Sequence, residues 1–426
     1  LSEQLAISAR PAGRQTGTAL YVAVVAFLTY ASVYAFRKPF TVATFEGISF
    51  LGIPYQTLLI ISQVIGYMGS KFAGIKLIAE LKQSGRWKTA MILIGAAWIS
   101  LLFFALVPAP FGMIFLLING FSLGFMWGIV FSYVEGRRTT DFIGSTMAVS
   151  FIFAGGFTRS VAKWLMLEWS VSEKWMPFMT GLVFIVPIML LFLMLEKIPA
   201  PTSEDVRERT ARVPLDKSGR KQLLRRFGGG LIVITITYSF LTVMRDVRDN
   251  YMANMWNEIG YGNDAGIFAR SESSISISVL ALMALLVLVR RNLTAFRLIH
   301  VVIAAGFLLA GVSSCLFVNG RLNGALWMQL TGLGLYMAYI PFNCIFFERL
   351  IATFKIAGNV GFLIYLADAY GYLGSVSVML GKSFLDLKLN WSGFFSHGVI
   401  LLSVIGIAGT VASLYYFNNK FKQQNL

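Results

Sequence analysis

Long apolar runs recur along this chain, separated by short polar connections. A helix must hold about 20 apolar residues to cross roughly 30 Å of hydrocarbon. Runs of that kind lie near 18–40, 53–81, 88–107, 111–135, 142–168, 175–195, 229–252, 265–290, 296–318, 324–347, 356–381 and 393–418. The first lacks a small-residue cleavage site followed by a polar start, so it reads as a retained helix rather than a leader. The longest polar break, Lys197 to Phe227, holds Pro199, Pro201, Pro214, many charges and no apolar periodicity. It divides the pattern into a six-span half over 1–196, a basic linker over 197–228 and a second six-span half over 229–426. The expectation is an all-α polytopic membrane protein of about twelve transmembrane helices in two pseudo-symmetric six-helix bundles.

Composition agrees with lipid as the solvent. Of 426 residues 57% are hydrophobic and 13% are charged, whereas a soluble domain keeps about a quarter charged. A net charge of +16 would suit nucleic acid or an anionic surface, but most of it lies in the connections, where topology explains it. One side holds Arg10, Arg14, Lys82, Arg86, Lys88, Arg137, Arg138, the basic stretch 197–226, Arg290, Arg291, Arg297, Arg349, Lys355, Lys420 and Lys422. The other holds only scattered cations such as Lys174, Arg321, Lys382 and Lys388. Lys and Arg concentrate on the cytoplasmic side of membrane proteins, so both termini and the linker are expected there. A bacterial inner membrane is the expected setting, with a small anionic solute and the lipid bilayer as partners, no nucleic acid, and a monomer. Two cysteines, Cys315 and Cys344, and two histidines, His300 and His397, have no metal-ligand spacing. No nucleophile, base and orienting group sit at readable spacing, so neither a cofactor nor an enzyme is expected.

The two halves resemble each other. Thr29-Tyr30 followed by Arg37 in span 1 recurs as Thr237-Tyr238 followed by Arg245 in span 7, displaced by 208 residues throughout. Gly120 and Glu135 near span 4 recur as Gly332 and Glu348 near span 10, displaced by 212 and 213. Parallel repeats about an axis along the membrane normal build one large transporter fold, with its site at the midplane between the halves.

Ionisable groups inside spans each cost about 2.5–3.5 kcal/mol at a helix centre on the insertion scale, and so mark function. Tyr30, Tyr34 and Arg37 share one helical face at spacings of seven and three. Arg37 and Lys38 could instead snorkel at the end of span 1, but Phe40, Val42, Ala43 and Phe45 continue the apolar pattern beyond them. Arg245 repeats the arrangement; Arg248, Asp249 and Glu272 lie nearby, and Asp246 and Asp249 could neutralise Arg245 and Arg248 locally. Lys71 lies deep in span 2, and Asp368 sits in span 11 among Tyr365, Tyr370 and Tyr372. Arg159 and Lys163 are four apart in span 5, where Lys163 is read as snorkelling. Gly120, Gly124 and Gly128 form a ladder that permits close helix packing, and Gly228-Gly229-Gly230 reads as a flexible linker end.

Tyr34-Ala35-Phe36-Arg37-Lys38-Pro39-Phe40 resembles the span-1 signature of the organophosphate:phosphate antiporters of the major facilitator superfamily, with Pro39 in place of an asparagine. Ser70-Lys71-Phe72 is similar to that family's span-2 motif, and Gly371-Tyr372-Leu373-Gly374 to its span-11 motif. Arg245 falls where the family carries a second binding arginine. Asp249 and Glu272 approximate its acidic partners of the lysine that follows the first arginine, here Lys38. The loop Glu80-Leu81-Lys82-Gln83-Ser84-Gly85-Arg86 keeps only part of the superfamily's loop pattern. The family's span-5 histidine is replaced by an apolar residue near Ile152, beside Gly155-Gly156.

Together these readings predict a secondary transporter working by alternating access as an organophosphate/phosphate-type exchanger. Arg37 and Arg245 grip an oxyanion, since guanidinium forks match phosphate and carboxylate and stay charged. Tyr30 and Tyr238 add hydroxyl donors and Lys71 a third positive charge, while Lys38, Asp249, Glu272 and Asp368 serve coupling and gating. Two other readings are a proton-coupled organic-anion symporter, with Asp368 or Glu272 carrying the proton, and a transporter-like membrane sensor.

Overall fold

A computed structural model of the chain describes residues 12–79, 85–134, 137, 140–199, 217–289, 291–355, 361–384 and 390–424. Arg10, Glu80, Leu81, Lys82, Gln83, Ser84, Glu135, Arg138, most of the predicted linker, Arg290 and Lys388 lie outside the described residues, as do the side chains of Phe72 and Tyr365. The first half comprises α1 (Ala12–Val33), α2 (Tyr55–Ala79), α3 (Arg86–Leu106), α4 (Gly112–Gly124), α5 (Met126–Val134), α6 (Thr140–Glu168) and α7 (Met176–Glu196). The second comprises α8 (Lys217–Asn250), α9 (Met252–Glu258), α10 (Ile267–Val287), α11 (Asn292–Val318), α12 (Gly324–Pro341), α13 (Phe347–Phe354), α14 (Gly361–Phe384) and α15 (Trp391–Gln424).

Nine helical stretches among the described residues are long and apolar enough to cross a membrane. Helices α2, α6 and α14, of 25, 29 and 24 residues, occupy the three other predicted spans. Lipid as solvent explains the surface, where large apolar side chains such as Ile92, Leu288, Val404 and Tyr415 stand exposed. Backbone polar groups have no water partner at that depth, so the helix supplies them internally.

Three local features differ from the sequence pattern. Span 1 does not stay helical to residue 40: α1 ends at Val33, and one-turn 3-10 segments follow at Tyr34–Phe36 and Pro39–Val42. Pro39 lacks an N–H and its ring would clash with the carbonyl four residues back, so the helix gives way before it. Span 7 begins inside the predicted linker, since α8 starts at Lys217. The buried Phe227 stacks near Phe354 and Phe417, with ring centroids at 4.8 and 6.3 Å, which anchors the helix ahead of residue 229. Gly228-Gly229-Gly230 is accordingly helical and not a linker end: a Cβ on Gly230 would meet the rings of Tyr416 and Phe417 at 2.6–2.8 Å. Span 10 is interrupted too, by π-helical Phe342–Phe346 after Pro341.

Small residues set the helix spacing as the ladder implied. A Cβ on Gly66 would strike the α4 backbone at Leu117, and one on Gly120 the α2 backbone at Gln63. Gly306 and Gly334 bring α11 and α12 together in the same reciprocal way, each 2.5 Å from the other's carbonyl oxygen if a Cβ were added. Between the halves, α6 packs on α10 and α2 on α14. Gly156 makes the first of these approaches possible, because its Cβ would lie 2.5 Å from Phe268 O and from Glu272 Cβ.

The α1–α2, α6–α7 and α8–α10 connections share one end of the bundle, called here the far end. The start of α3 at Arg86 and the end of α7 at Glu196 meet at the other, the basic end, both in contact with Tyr133. At the far end Ser49–Phe50 and Ile53–Pro54 form a two-stranded hairpin, β1 and β2. Its two-residue turn has φ of 53° at Leu51 and 76° at Gly52, the positive values that a tight hairpin turn demands.

Candidate functional site

The break after α1 shapes the centre of the molecule. Arg37 and Lys38 both donate their backbone N–H to Tyr34 O, at 3.0 and 2.9 Å. The carbonyls released by this turn are satisfied from neighbouring helices. Asn119 Nδ2 donates to Phe36 O at 3.0 Å, and Gln63 Nε2 donates to Arg37 O at 2.9 Å. Gln63 and Asn119 also bond each other at 2.8 Å. Two buried amides thus hold Arg37 in place through its backbone, which leaves its side chain for other work.

That side chain lies over aromatic faces. The guanidinium carbon of Arg37 is 3.9 Å from the Tyr67 ring centroid and 5.7 Å from that of Tyr34. Lys71, one helical turn further along α2, has its Nζ 4.7 Å from the same Tyr67 ring. Tyr30 packs edge-on against Tyr34 and Trp127, at 5.6 and 4.9 Å. In the second half Arg245 lies 4.2 Å from the Tyr339 ring centroid and pairs with Asp246 at 2.5 Å. Asp246 is held in turn by Ser375 Oγ at 2.8 Å. Tyr67 and Tyr372 approach to 6.0 Å across the halves. Arg37 and Arg245 share one further property. Each has a buried Nε–H with no hydrogen-bond partner. An unsatisfied buried donor is costly, and a bound acceptor would remove that cost.

Tyr238 occupies a different role from the expected open donor. Its hydroxyl donates to Asp368 Oδ1 at 2.6 Å and accepts from Asn343 Nδ2 at 2.9 Å. Asn343 comes from the π-helical break in span 10 and reaches Tyr339 as well, at 3.2 Å. The repeat is visible in the backbone too: Thr29 and Thr237 each return their hydroxyl to the carbonyl four residues back, Val25 and Val233, at 2.7 and 2.9 Å.

Toward the far end a second group of charges joins the halves. Lys38 is 4% exposed, pairs with Asp249 Oδ2 at 2.5 Å and donates to Asn250 Oδ1 at 2.9 Å. Arg159, 1% exposed, pairs with Asp249 Oδ1 at 2.7 Å and also bonds the Asp249 carbonyl, Gly155 O and Thr41 Oγ1. One carboxylate of the second half therefore takes two cations of the first. Glu272 is not a partner of Lys38: it binds Arg248 in a fork, at 2.7 and 3.2 Å. Asp249 likewise does not neutralise Arg248. The reason is steric, since Gly332 leaves room for the Arg248 guanidinium beside α12 and a Cβ there would overlap it. Gln56–Asn254 at 3.0 Å, Thr57–Tyr251 at 2.8 Å and Ala269 N–Ser160 Oγ at 2.9 Å complete the seal.

Arg159 is the functional candidate that spacing alone did not single out, together with Tyr67, Tyr339 and Asn343. Its depth, nine residues before the end of α6 at Glu168, was the signal that could have found it. Among the described residues no group of three or more His, Cys, Asp or Glu could hold a metal ion.

Comparison with solved structures shows the fold. The nucleoside transporter NupG aligns with a TM-score of 0.62 at 14% identity, over 94% of this chain and 99% of that one. A D-xylose–proton symporter aligns at 0.61 and 15%, over 93% and 96%. A bacterial homologue of the human lysosomal transporter Spinster, in an inward-facing and unoccupied conformation, aligns at 0.58 and 13%, over 95% and 97%. The chain is a multi-pass membrane protein with the major facilitator fold. A search of curated protein sequences gave no match. The family model that does match spans residues 39–420 and is not that of the organophosphate:phosphate antiporters: the chain belongs to the family of unknown function DUF5690.

Proposed function

We propose that this protein is a secondary transporter that moves a small organic anion by alternating access, with Arg37 and Arg245 as the anion-binding groups. One observation carries the reading. Two arginines at repeat-equivalent positions of the two halves each lie on a tyrosine face, and each keeps a buried Nε–H without an acceptor. A fixed guanidinium in a water-poor site binds carboxylate or phosphate oxygens through paired N–H donors. The transporters among the structural neighbours support movement of a solute rather than binding alone.

Lys38, Arg159 and Asp249 form the gate in this reading. They hold the far end shut in the conformation described, and rocking of one half against the other separates them. The far end is extracellular if the basic connections are cytoplasmic. Strict exchange is the favoured mode, because a positive empty site is costly to enclose without an anion. Proton coupling is the second reading, favoured by the Asp368–Tyr238–Asn343 chain inside the bundle. The experiment is efflux of a labelled anion from proteoliposomes, with the anion chosen by thermal shift of the purified protein against phosphorylated and carboxylated metabolites. Binding raises the midpoint with the logarithm of ligand over dissociation constant. Absence of any stabilising anion, or binding without movement, would overturn the reading.

A further inference from the structure

A groove of about 500 Å³ lies between α8 and α15, with walls that include Gly229, Val233, Ala412, Tyr415, Tyr416 and Lys420. Tyr415 is 70% exposed, so the groove opens on the outer, lipid-facing surface and not on the centre. The two helices run antiparallel. Tyr251, just after α8, stacks on Trp391 at the start of α15 with ring centroids 3.4 Å apart. Near the other end Tyr416 donates to Arg226 O at 3.4 Å. The groove therefore sits at the basic end. Small residues shape it: a Cβ on Gly229 would already touch the Tyr416 ring at 3.3 Å, and Ala412 contributes only a methyl. From Lys420 to Ala412 the helix rises about 12 Å, and the lining turns from cationic to apolar over that depth.

The mouth of the groove is positive. Arg225 and Arg226 precede Gly229 by four and three residues, so they share its face one turn nearer the basic end, and both are exposed. Arg226 meets a neutral partner, with its Nε 3.1 Å from the Gln424 amide oxygen. Lys420 lines the groove itself, its Nζ 6.0 Å from the Tyr416 ring, and Lys422 follows in the last turn of α15. Neither helix offers an acid here: α15 has no Asp or Glu, and the first in α8 is Asp246, near its opposite end. Lys420 and Lys422 also suit the negative end of the α15 dipole, but that needs no groove. An apolar furrow under a cationic rim fits an acyl chain with a charged headgroup above it.

We infer that this groove binds an anionic glycerophospholipid, with one acyl chain along Gly229, Val233 and Ala412 and its phosphate at Lys420, Arg225 and Arg226. The site is separate from the central arginines and stands whether or not they bind the transported solute.

The test is thermal shift of the purified full chain in neutral detergent, titrated with dioleoyl phosphatidylglycerol, dioleoyl phosphatidylcholine or inorganic phosphate. Each Lys or Arg beside an anionic headgroup contributes about fivefold in affinity. Wild type should bind phosphatidylglycerol at least about 10-fold more tightly than phosphatidylcholine. Arg226→Gln combined with Lys420→Gln should bring the two lipids within about 3-fold. Gly229→Leu and Ala412→Leu each fill the groove and keep the cations, and each should weaken phosphatidylglycerol binding by at least about 10-fold. Equal affinity for the two lipids in wild type, or an unchanged preference in the double variant, overturns the headgroup assignment. Undiminished phosphatidylglycerol binding in both leucine variants means surface charge acting without the groove, and overturns the site. Inorganic phosphate that stabilises wild type but not the double variant assigns the cations to a free anion and overturns the lipid. A dimer in lipid-free detergent that Ala412→Leu dissociates makes a second copy of this chain the occupant, which overturns it equally.

Discussion

Asp249→Asn should unlatch the far end of the molecule. In the conformation described, this carboxylate of the second half lies 2.5 Å from Lys38 and 2.7 Å from Arg159 of the first. Two buried cations thus share one anion, and the substitution leaves both without a counter-charge. Removing one partner of a buried pair costs about 3–5 kcal/mol. Nearly all of that falls on the closed state, because the partners belong to different halves and separate when it opens. At about 1.4 kcal/mol per tenfold, the balance should move toward the open far end by roughly 100-fold or more. Lys38→Gln behaves differently, since it leaves Arg159 and Asp249 as a balanced pair, and should shift the equilibrium far less. The assay is the distance distribution between spin labels on cysteines at Leu51, 94% exposed in the β1–β2 turn, and Arg321 between α11 and α12. Cys315 and Cys344 are replaced first. A longer-distance population should dominate in Asp249→Asn and stay minor in Lys38→Gln. Distributions identical to wild type in both variants, or the reverse order of effect, would refute the gate.

Two further outcomes follow from the same geometry. Arg37→Lys and Arg245→Lys should each lower transport by at least about 100-fold with expression retained, because lysine keeps the charge but loses the fork and its stacking on tyrosine; normal transport by both would remove them from the site. Cysteines at Lys221 and Asn390, both exposed, should react with membrane-impermeant reagents from the cytoplasmic and extracellular sides respectively, and the opposite pattern would invert the assignment of the gate.

Much of this molecule was legible from hydropathy, because lipid enforces a simple rule: each span must be apolar, helical and about 20 residues long. The Thr-Tyr…Arg repeat was legible for a similar reason, since intramembrane arginines are too costly to occur idly. What the pattern could not give was partner choice. Asp246, Asp249 and Glu272 were all plausible neighbours of several cations. Which pairs form depends on small steric facts such as the space Gly332 leaves for Arg248. Arg159 drew no role from its four-residue spacing to Lys163, which reads as snorkelling, and the fold shows Arg159 sealed at 1% exposure. The helix break at Tyr34 was written in Pro39 but masked by the continuing apolar pattern. Start points erred where packing overrode composition, as in α8, whose glycines accommodate aromatic rings of α15 rather than loosening the chain.

In the proposed function these two halves move an anion across a membrane by exchange. Efflux of a labelled, thermal-shift-selected anion from loaded proteoliposomes tests it most directly, measured with and without the same anion outside. Rapid efflux is expected only with external anion present, with little drive from a pH gradient alone, and Arg37→Lys should abolish the exchange. Equal efflux in the two conditions, or strong drive by a pH gradient that disappears in Asp368→Asn, would contradict it in favour of proton coupling.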